Sequence, residues 1–179
     1  DQFDVLISQN TPIAMKILRF FSQKLRLYDS ILTVISGQKQ VFEDPSHLFE
    51  IAQFYENKMR QYKTAVYGYV RYLQQCPNGT NVAKAKDAVL RLYKQHGKKI
   101  EFHEPDVKDF YVTFDDKEVI FLEHEVGNNL YIIQNGEVKI LKVVNNQEIL
   151  LNVLKTGDIF GEMAILENKP RNATAVASG

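Results

Sequence analysis

The spacing of the apolar residues changes once along this chain, and the change restricts the folds open to it. From Thr11 to about Gln95, apolar side chains recur every three or four positions, as they do on amphipathic helices. From Val119 onward they form short β-branched runs that partly alternate and are separated by turn sequences such as Asn135-Gly136. Strands at roughly ten-residue spacing are typical of an antiparallel barrel or sandwich. The predicted fold class is therefore α+β, with a helical N-terminal half followed by an antiparallel β domain.

The helical half divides into two zones. The first has a capping sequence, Asn10-Thr11-Pro12, at its start and a natural stop at Gly37. The second opens at Asp44 and contains three helices, with a clear break at Cys76-Pro77-Asn78-Gly79. The predicted strands that follow are Val119–Leu122, Leu130–Ile133, Val138–Val144 and Ile149–Leu154.

Charge and cysteine content exclude several classes of protein. Lys plus Arg and Asp plus Glu number 22 each, so no overall positive field favours nucleic acid. The single cysteine, Cys76, cannot form an internal disulfide, which indicates a reducing compartment. No apolar run reaches the roughly 18 residues of a membrane span, and no segment resembles a signal peptide. These observations predict a cytoplasmic location.

The stretch FGEMAILENKPRNATAVA, residues 160–177, carries the most specific chemistry. Gly161 allows a close turn, and the residues after it can form a brief helical turn whose first amides attract an anion. Arg171, expected on the next strand, adds a planar guanidinium that can bind two phosphate oxygens. Glu162 repels a phosphate but accepts a hydrogen bond from a hydroxyl. Phosphate and hydroxyl on one small ring describe a cyclic nucleotide.

Residues 107–179 resemble a cyclic-nucleotide-binding domain, in which the quoted stretch corresponds to the phosphate-binding cassette. VIFLEHEVGNNLYIIQNGEVKIL and LLNVLKTGDIFGE are similar to the strands and turns of that family's β-roll. The resemblance implies that Glu162 binds the ribose 2′-hydroxyl, that Gly161 and Ala164 give backbone amides, and that Arg171 holds the exocyclic oxygens. The full ligand-binding set that it implies is Gly161, Glu162, Met163, Ala164, Arg171, Asn172 and Ala173.

Two departures from the family pattern and two competing interpretations accompany this resemblance. Asn128 stands where the family often has an aspartate. Asn172 does not decide between adenine and guanine. The expected ligand is cAMP, with cGMP as an alternative. Glu162 and Arg171 could instead form an ion pair that fixes a loop. Glu123-His124-Glu125 could suggest a metal site, but a solvated strand end is the preferred interpretation. No catalytic residue, metal or cofactor is expected.

Two further resemblances concern the helical half. FEIAQFYENKMRQYKTAVYGYVRYLQQCPNG and AKAKDAVLRLYKQ, within residues 44–96, resemble a tetratricopeptide repeat and part of the next, with a plain helical hairpin as the alternative. FDVLISQNTPIAMKILRFFSQKLR, within residues 1–37, resembles the closing helices of another cyclic-nucleotide-binding domain, and the β-roll stops early at Gly179. Either the chain is part of a tandem-domain protein, or these helices complete the β-roll by exchange, in one chain or in a homodimer.

The expected function is a regulatory cyclic-nucleotide sensor without enzyme activity. Ligand capture would reposition the adjoining helices, which would pass the change to a protein partner. The competing function is a protein-interaction scaffold with a tetratricopeptide-like module and a β-roll that binds no ligand.

Overall fold

A long helix opens the part of the chain that the computed structural model describes, which comprises residues 11–35, 44–100, 102 and 110–179. This helix, α1, spans Thr11–Ile35. The predicted cap at Asn10 and the predicted stop at Gly37 lie outside the described residues. None of the helices in the described ranges is long and apolar enough to cross a membrane.

Three further α-helices pack side by side after α1. They are α2 (Leu48–Phe54), α3 (Tyr62–Gln75) and α4 (Val82–His96). A 3₁₀ turn, Pro45–His47, precedes α2, and the carboxylate of Asp44 caps it by accepting the amide of Ser46 at 2.8 Å. A π-helical turn, Tyr55–Met59, follows α2, and a 3₁₀ turn, Gly97–Ile100, follows α4.

Small residues allow these helices to approach closely. Ala52 and Ala65 are both completely buried where α2 and α3 meet. A Cβ atom added to Gly68 would lie 2.9 Å from the Cβ of Ala52 and 3.0 Å from a methyl group of Leu122. Helix α3 is therefore packed tightly against both α2 and the β domain.

Over the described residues 110–179, the β domain contains six strands and one short helix. The strands are β1 (Val119–Phe121), β2 (Tyr131–Ile132), β3 (Glu137–Val144), β4 (Gln147–Lys155), β5 (Ile159–Phe160) and β6 (Thr174–Ser178). Strands β1, β6, β3 and β4 form an antiparallel sheet in that order, while β2 and β5 form a second, two-stranded antiparallel sheet. Helix α5 (Glu162–Glu167) lies between β5 and β6. The predicted α+β class is confirmed.

The tight turn between β3 and β4 shows why these two strands could be predicted from the sequence. Asn145 and Asn146 both adopt left-handed backbone angles, with φ of 52° and 57°, which asparagine tolerates well. Val144 pairs with Gln147 directly beside this turn, and the pairing continues to Glu137 and Lys155 with one irregularity. The hairpin is thus longer than predicted but centred on the predicted turn.

The helical and β parts share a buried interface. Val119 and Leu122 belong to the same apolar cluster as the buried residues of α2, α3 and α4. Ile120 and Phe121, between them in sequence, belong instead to the core inside the β-roll. Strand β1 therefore connects the two cores, and its end is held between them.

Two predictions about local structure were wrong. Arg171 does not lie on a strand, because β6 begins only at Thr174. Glu123-His124-Glu125 is not a solvated strand end but a buried turn, in which Glu123 and Glu125 are 2% and 7% exposed. The alternating pattern fails there because His124 takes a left-handed backbone conformation, φ 68°, which ends the strand.

Candidate ligand-binding site

The backbone of Arg171 is fixed by the turn that follows β1. The Arg171 amide donates to the carbonyl of Glu125 at 2.8 Å, and the His124 amide donates to the carbonyl of Arg171 at 2.7 Å. These two bonds join the loop before β6 to the turn Leu122–Glu125. They therefore fix the position of the Arg171 Cα atom, from which the side chain extends.

The guanidinium of Arg171 points into the β domain and is bound by backbone carbonyls. Nη1 donates to the carbonyl of Gly161 at 2.5 Å, and Nη2 donates to the carbonyl of Asn129 at 2.7 Å. The guanidinium carbon lies 4.2 Å from the ring centroid of Phe121, in a cation–π contact. Arg171 is only 4% exposed, and its buried Nε has no hydrogen-bond partner among the described residues.

Two glycines make room for this guanidinium. A Cβ atom on Gly127 would lie 2.8 Å from Nη2 of Arg171, and one on Gly161 would lie 2.7 Å from Nη1. Gly161 also adopts a φ of 83°, which other residues rarely adopt. Both positions therefore require glycine for as long as the arginine occupies this place.

The charge of Arg171 has no internal counter-charge at contact distance. Among the residues described, no carboxylate lies within ion-pair distance of its guanidinium. Burial lowers the pKa of Arg171, while Tyr131 and Glu125 oppose that shift. An arginine nevertheless stays protonated in proteins. The result is a buried positive charge whose contacts among the described residues are two neutral carbonyls and the ring of Phe121, which is a costly arrangement that an anion would relieve.

Glu162 begins helix α5 and is partly buried. In the described part of the chain it forms no ion pair with Arg171, so the alternative of a simple loop-fixing pair has no support in this geometry. Gly161 occupies the cap position before Glu162, and no side chain caps the helix. Among the described residues, the carboxylate of Glu162 and the Nε of Arg171 are therefore both without a hydrogen-bond or ion-pair partner.

The other predicted site residues lie around the same loop. Ala164 and Ala173 are buried, 4% and 6% exposed, while Met163 and Asn172 are partly buried. The carbonyl of Asn172 accepts a hydrogen bond from Nζ of Lys142 at 3.0 Å. Sequence reasoning missed Phe121, Gly127 and Asn129, whose ring, missing side chain and carbonyl surround the arginine. The only sequence signal was the turn Gly127-Asn128-Asn129.

Helix α1 docks on the far end of helix α5. Arg26 Nε lies 2.9 Å from a carboxylate oxygen of Glu167, and the two side chains are 6% and 4% exposed. Arg26 also donates to the carbonyl of Pro170 at 3.1 Å, and the hydroxyl of Ser22 donates to Glu167. Sequence reasoning did not predict this contact, which joins α1 to the loop that carries Arg171.

The sequence of the β domain matches a known family. Residues 111–179 match the family model described as the cyclic nucleotide-binding domain. The chain is 41% identical over 68 residues to a cAMP-dependent protein kinase regulatory subunit of Mucor circinelloides f. lusitanicus, covering 38% of this chain and 16% of that protein. A regulatory subunit of Blastocladiella emersonii is 39% identical over 69 residues, covering 38% and 17%. The chain therefore spans about a sixth of the length of these relatives.

Solved structures with similar sequences include one from Toxoplasma gondii and one from Thermus thermophilus. The regulatory domain of Toxoplasma gondii PKA with cAMP is 35% identical, covers 37% of this chain and 25% of that one, and has a TM-score of 0.36. The Thermus thermophilus Catabolite Activator Protein is 34% identical, covers 36% and 30%, and has a TM-score of 0.35. The family match confirms the predicted cyclic nucleotide-binding domain for residues 111–179. The resemblances predicted for residues 1–37 and 44–96 stay predictions.

Proposed function

We propose that this chain is a regulatory sensor that binds a cyclic nucleotide, with cAMP as its ligand, and passes the binding event to its helices. The observation that carries the proposal is the buried guanidinium of Arg171, which in the described ranges has no hydrogen-bond partner at Nε and no carboxylate at ion-pair distance. A phosphodiester supplies the missing negative charge. The family match and the similarity to regulatory subunits of cAMP-dependent protein kinase support the same ligand class.

Each predicted site residue has a role in this proposal. Arg171 binds the exocyclic phosphate oxygens, and the amides of Gly161 and Ala164 bind the same group. Glu162 accepts the hydrogen bond of the ribose 2′-hydroxyl. Met163, Asn172 and Ala173 line the pocket. The choice of cAMP over cGMP rests on the names of the relatives, since Asn172 favours neither base.

The contact between α1 and α5 offers a route for the signal. Glu167 closes α5 four residues before Arg171, so a ligand that shifts the loop changes the position of the Arg26–Glu167 pair. Ligand binding can then shift α1 between two arrangements. The size of that shift is limited by the difference in the ligand's affinity for them. A protein partner for the helices and a cytoplasmic location are part of the same proposal.

A scaffold is the second candidate, and one observation favours it. Helix α1 exposes Leu18, Phe21, Leu25 and Tyr28, each between 51% and 59% exposed, at helical spacing along one face. A surface of this kind is typical of a contact with another protein. Ligand binding separates the two candidates, because a scaffold requires none.

The test is titration calorimetry with cAMP and cGMP on the full 179-residue chain. We expect Arg171→Ala to weaken cAMP binding at least about 30-fold, which corresponds to roughly 2 kcal/mol for losing one member of a buried charged pair. Glu162→Ala should weaken binding as well. Arg19→Ala and Glu137→Ala remove the same charges from exposed positions and should bind like the parent. Unchanged affinity in Arg171→Ala, or no binding by the parent, would overturn the proposal.

A further inference from the structure

The turn that fixes the backbone of Arg171 is itself held by two buried carboxylates, that of Glu123, which accepts the amide of Val143 at 3.0 Å, and that of Glu125. We call residues Leu122–Glu125 the support turn. Besides its two bonds to Arg171, it is attached to the first residue of β6 by a third, since the Glu123 amide donates to Oγ1 of Thr174 at 3.1 Å. Any change in the shape of the support turn therefore moves Arg171.

The carboxylate of Glu125 closes the support turn together with a backbone bond from the Glu125 amide to the carbonyl of Leu122 at 3.2 Å. One oxygen accepts the amide of Leu122 at 3.0 Å, which closes the turn from within. The hydroxyl of Tyr67 lies 3.2 and 3.1 Å from the two carboxylate oxygens, and Nε of Arg71 lies 3.2 Å from one of them. Glu125 is 7% exposed, so water does not replace these partners easily.

The partners of Glu125 come from one face of helix α3. Tyr67, Arg71 and Gln75 follow one another at intervals of four residues and so lie one above the other. Gln75 continues the contact, because its side chain bonds both the carbonyl and the amide of Val126, at 3.1 and 2.8 Å. Helix α3 thus holds the chain up to the residue before Gly127, the glycine beside the guanidinium.

Two aromatic rings fix the guanidinium of Arg71 beside Glu125. Its guanidinium carbon lies 5.0 Å from the ring centroid of Tyr67 and 5.2 Å from that of Phe102. Two aromatic contacts on a planar guanidinium restrict its movement. The ion pair with Glu125 therefore has little freedom to adjust.

We propose that Glu125, held by Tyr67 and Arg71, is a positioning residue for nucleotide binding. It touches no ligand and acts through the support turn, which places the Arg171 guanidinium between Gly127 and Gly161. The inference rests on the proposed function, in which Arg171 binds the cyclic phosphate. It also assigns the helical half a direct part in the affinity of the β domain.

A buried carboxylate elsewhere in the molecule provides a matched control. Glu56 is 6% exposed, pairs with Nη1 of Arg91 at 2.6 Å and accepts a hydrogen bond from Tyr69 at 2.7 Å. It therefore has the same kinds of partner as Glu125. Among the described residues, neither Arg91 nor Tyr69 forms a hydrogen bond or an ion pair with the support turn. Loss of Glu56 should cost stability without changing nucleotide affinity.

The experiment compares the full chain with Glu125→Gln, Glu125→Ala, Arg71→Met, Glu56→Gln and Arg171→Ala. Affinity for cAMP is measured by calorimetry, and the unfolding midpoint is measured without ligand. We expect Glu125→Ala and Arg71→Met to bind about 10- to 100-fold more weakly, by analogy with the loss of groups that orient metal-binding residues. Glu125→Gln keeps an oxygen for the Leu122 amide and should recover part of that loss. Glu56→Gln should lower the midpoint and bind like the parent.

A spectroscopic measurement reports the position of Arg171 directly. In ¹⁵N-labelled protein, the Nε–Hε signal of Arg171 is identified as the one missing in Arg171→Ala. We expect this signal to shift in Glu125→Gln and to stay unchanged in Glu56→Gln. A purely structural role for Glu125 would lower the unfolding midpoint and leave both the signal and the affinity of the folded protein unchanged.

The outcomes separate the inference from the proposed function. If Arg171→Ala binds cAMP like the parent, the proposed function is wrong. If Arg171→Ala loses binding while Glu125→Gln and Arg71→Met bind within twofold of the parent, only the positioning role is overturned. These two milder variants decide the question if Glu125→Ala does not fold.

Discussion

Two arginines are buried at opposite ends of helix α5, and within the described part of the chain only Arg26 has a counter-charge. Arg26 lies 2.9 Å from the carboxylate of Glu167, at the end of the helix, and is 7% exposed. Arg171 lies before β6, is 4% exposed, and donates to the neutral carbonyls of Gly161 and Asn129. The two side chains have the same chemistry and nearly the same burial. Their difference lies in what balances the charge.

The comparison separates a structural arginine from a binding arginine. A charge paired inside the protein stabilises a contact, and removing one partner leaves the other buried and unpaired. A charge left without a partner adds little to folding, but it is ready to bind an anion. Arg26 is therefore expected to hold α1 in place, and Arg171 to hold a ligand. The predictions below test that division.

The largest expected effect is on ligand binding. Arg171→Ala should reduce the affinity for cAMP at least about 30-fold, whereas Arg26→Ala should leave the affinity within a few-fold of the parent. Thermal unfolding provides an independent measurement, because cAMP at about 100 times Kd should add about 2.7 kcal/mol to the stability of any variant that still binds. Equal losses of affinity in the two variants would remove the distinction between them.

The second effect is on the docking of α1. Arg26→Ala leaves Glu167 buried without its arginine, and we expect a loss of roughly 1–3 kcal/mol in the free energy that holds α1 on α5. Hydrogen exchange of the α1 amides measures this loss as faster exchange. Arg19→Ala, at an exposed position of the same helix, should exchange like the parent. Unchanged exchange in Arg26→Ala would mean that the pair does not hold the helix.

The third effect concerns the space around Arg171. In Gly127→Ala the new Cβ would lie 2.8 Å from Nη2 of Arg171, so the guanidinium must move. We expect a loss of about 1–3 kcal/mol in cAMP binding, measured by calorimetry. Gly97→Ala is a control for loss of stability alone, because its φ of 66° strains alanine while no atom lies within 4 Å of the added carbon. Parental affinity in Gly127→Ala would show that the exact position of the guanidinium matters little.

The sequence was most informative where local pattern decides the structure. The hairpin around Asn145 and Asn146 and the short helix after Gly161 followed from turn chemistry and apolar spacing. The contact between Arg26 and Glu167 could not be predicted, because it joins residues far apart in the chain and no local pattern indicates it. The turn at Glu123–Glu125 was misread because a single left-handed residue, His124, breaks the strand period. The residue types thus predicted which side chains form the candidate site. They did not predict the residues that hold those side chains in position.

The smallest expected effect is the pH dependence of the support turn. Burial lowers the pKa of His124 to about 3, with His47 and Lys142 acting in the same direction and Asp44 opposing them. The buried Nδ1 of His124 has no hydrogen-bond partner among the described residues, so the folded protein has no acceptor for an added proton. The unfolded chain binds that proton near the ordinary pKa of 6.5. His124 therefore reduces stability as the pH falls from about 6.5 towards 3, by at most about 1.4 kcal/mol per pH unit.

The variant His124→Asn isolates this contribution from those of the other titrating groups. Asparagine does not titrate and tolerates the left-handed backbone at this position, so the turn should persist. Burial raises the pKa of Glu125, which acts in the opposite direction on acidification but is common to both proteins. Urea unfolding at pH 7.5 and 5.5 should show the parent losing about 1 kcal/mol more than the variant. Equal losses would mean that His124 is protonated without cost, and the support turn would then be more open than its burial indicates.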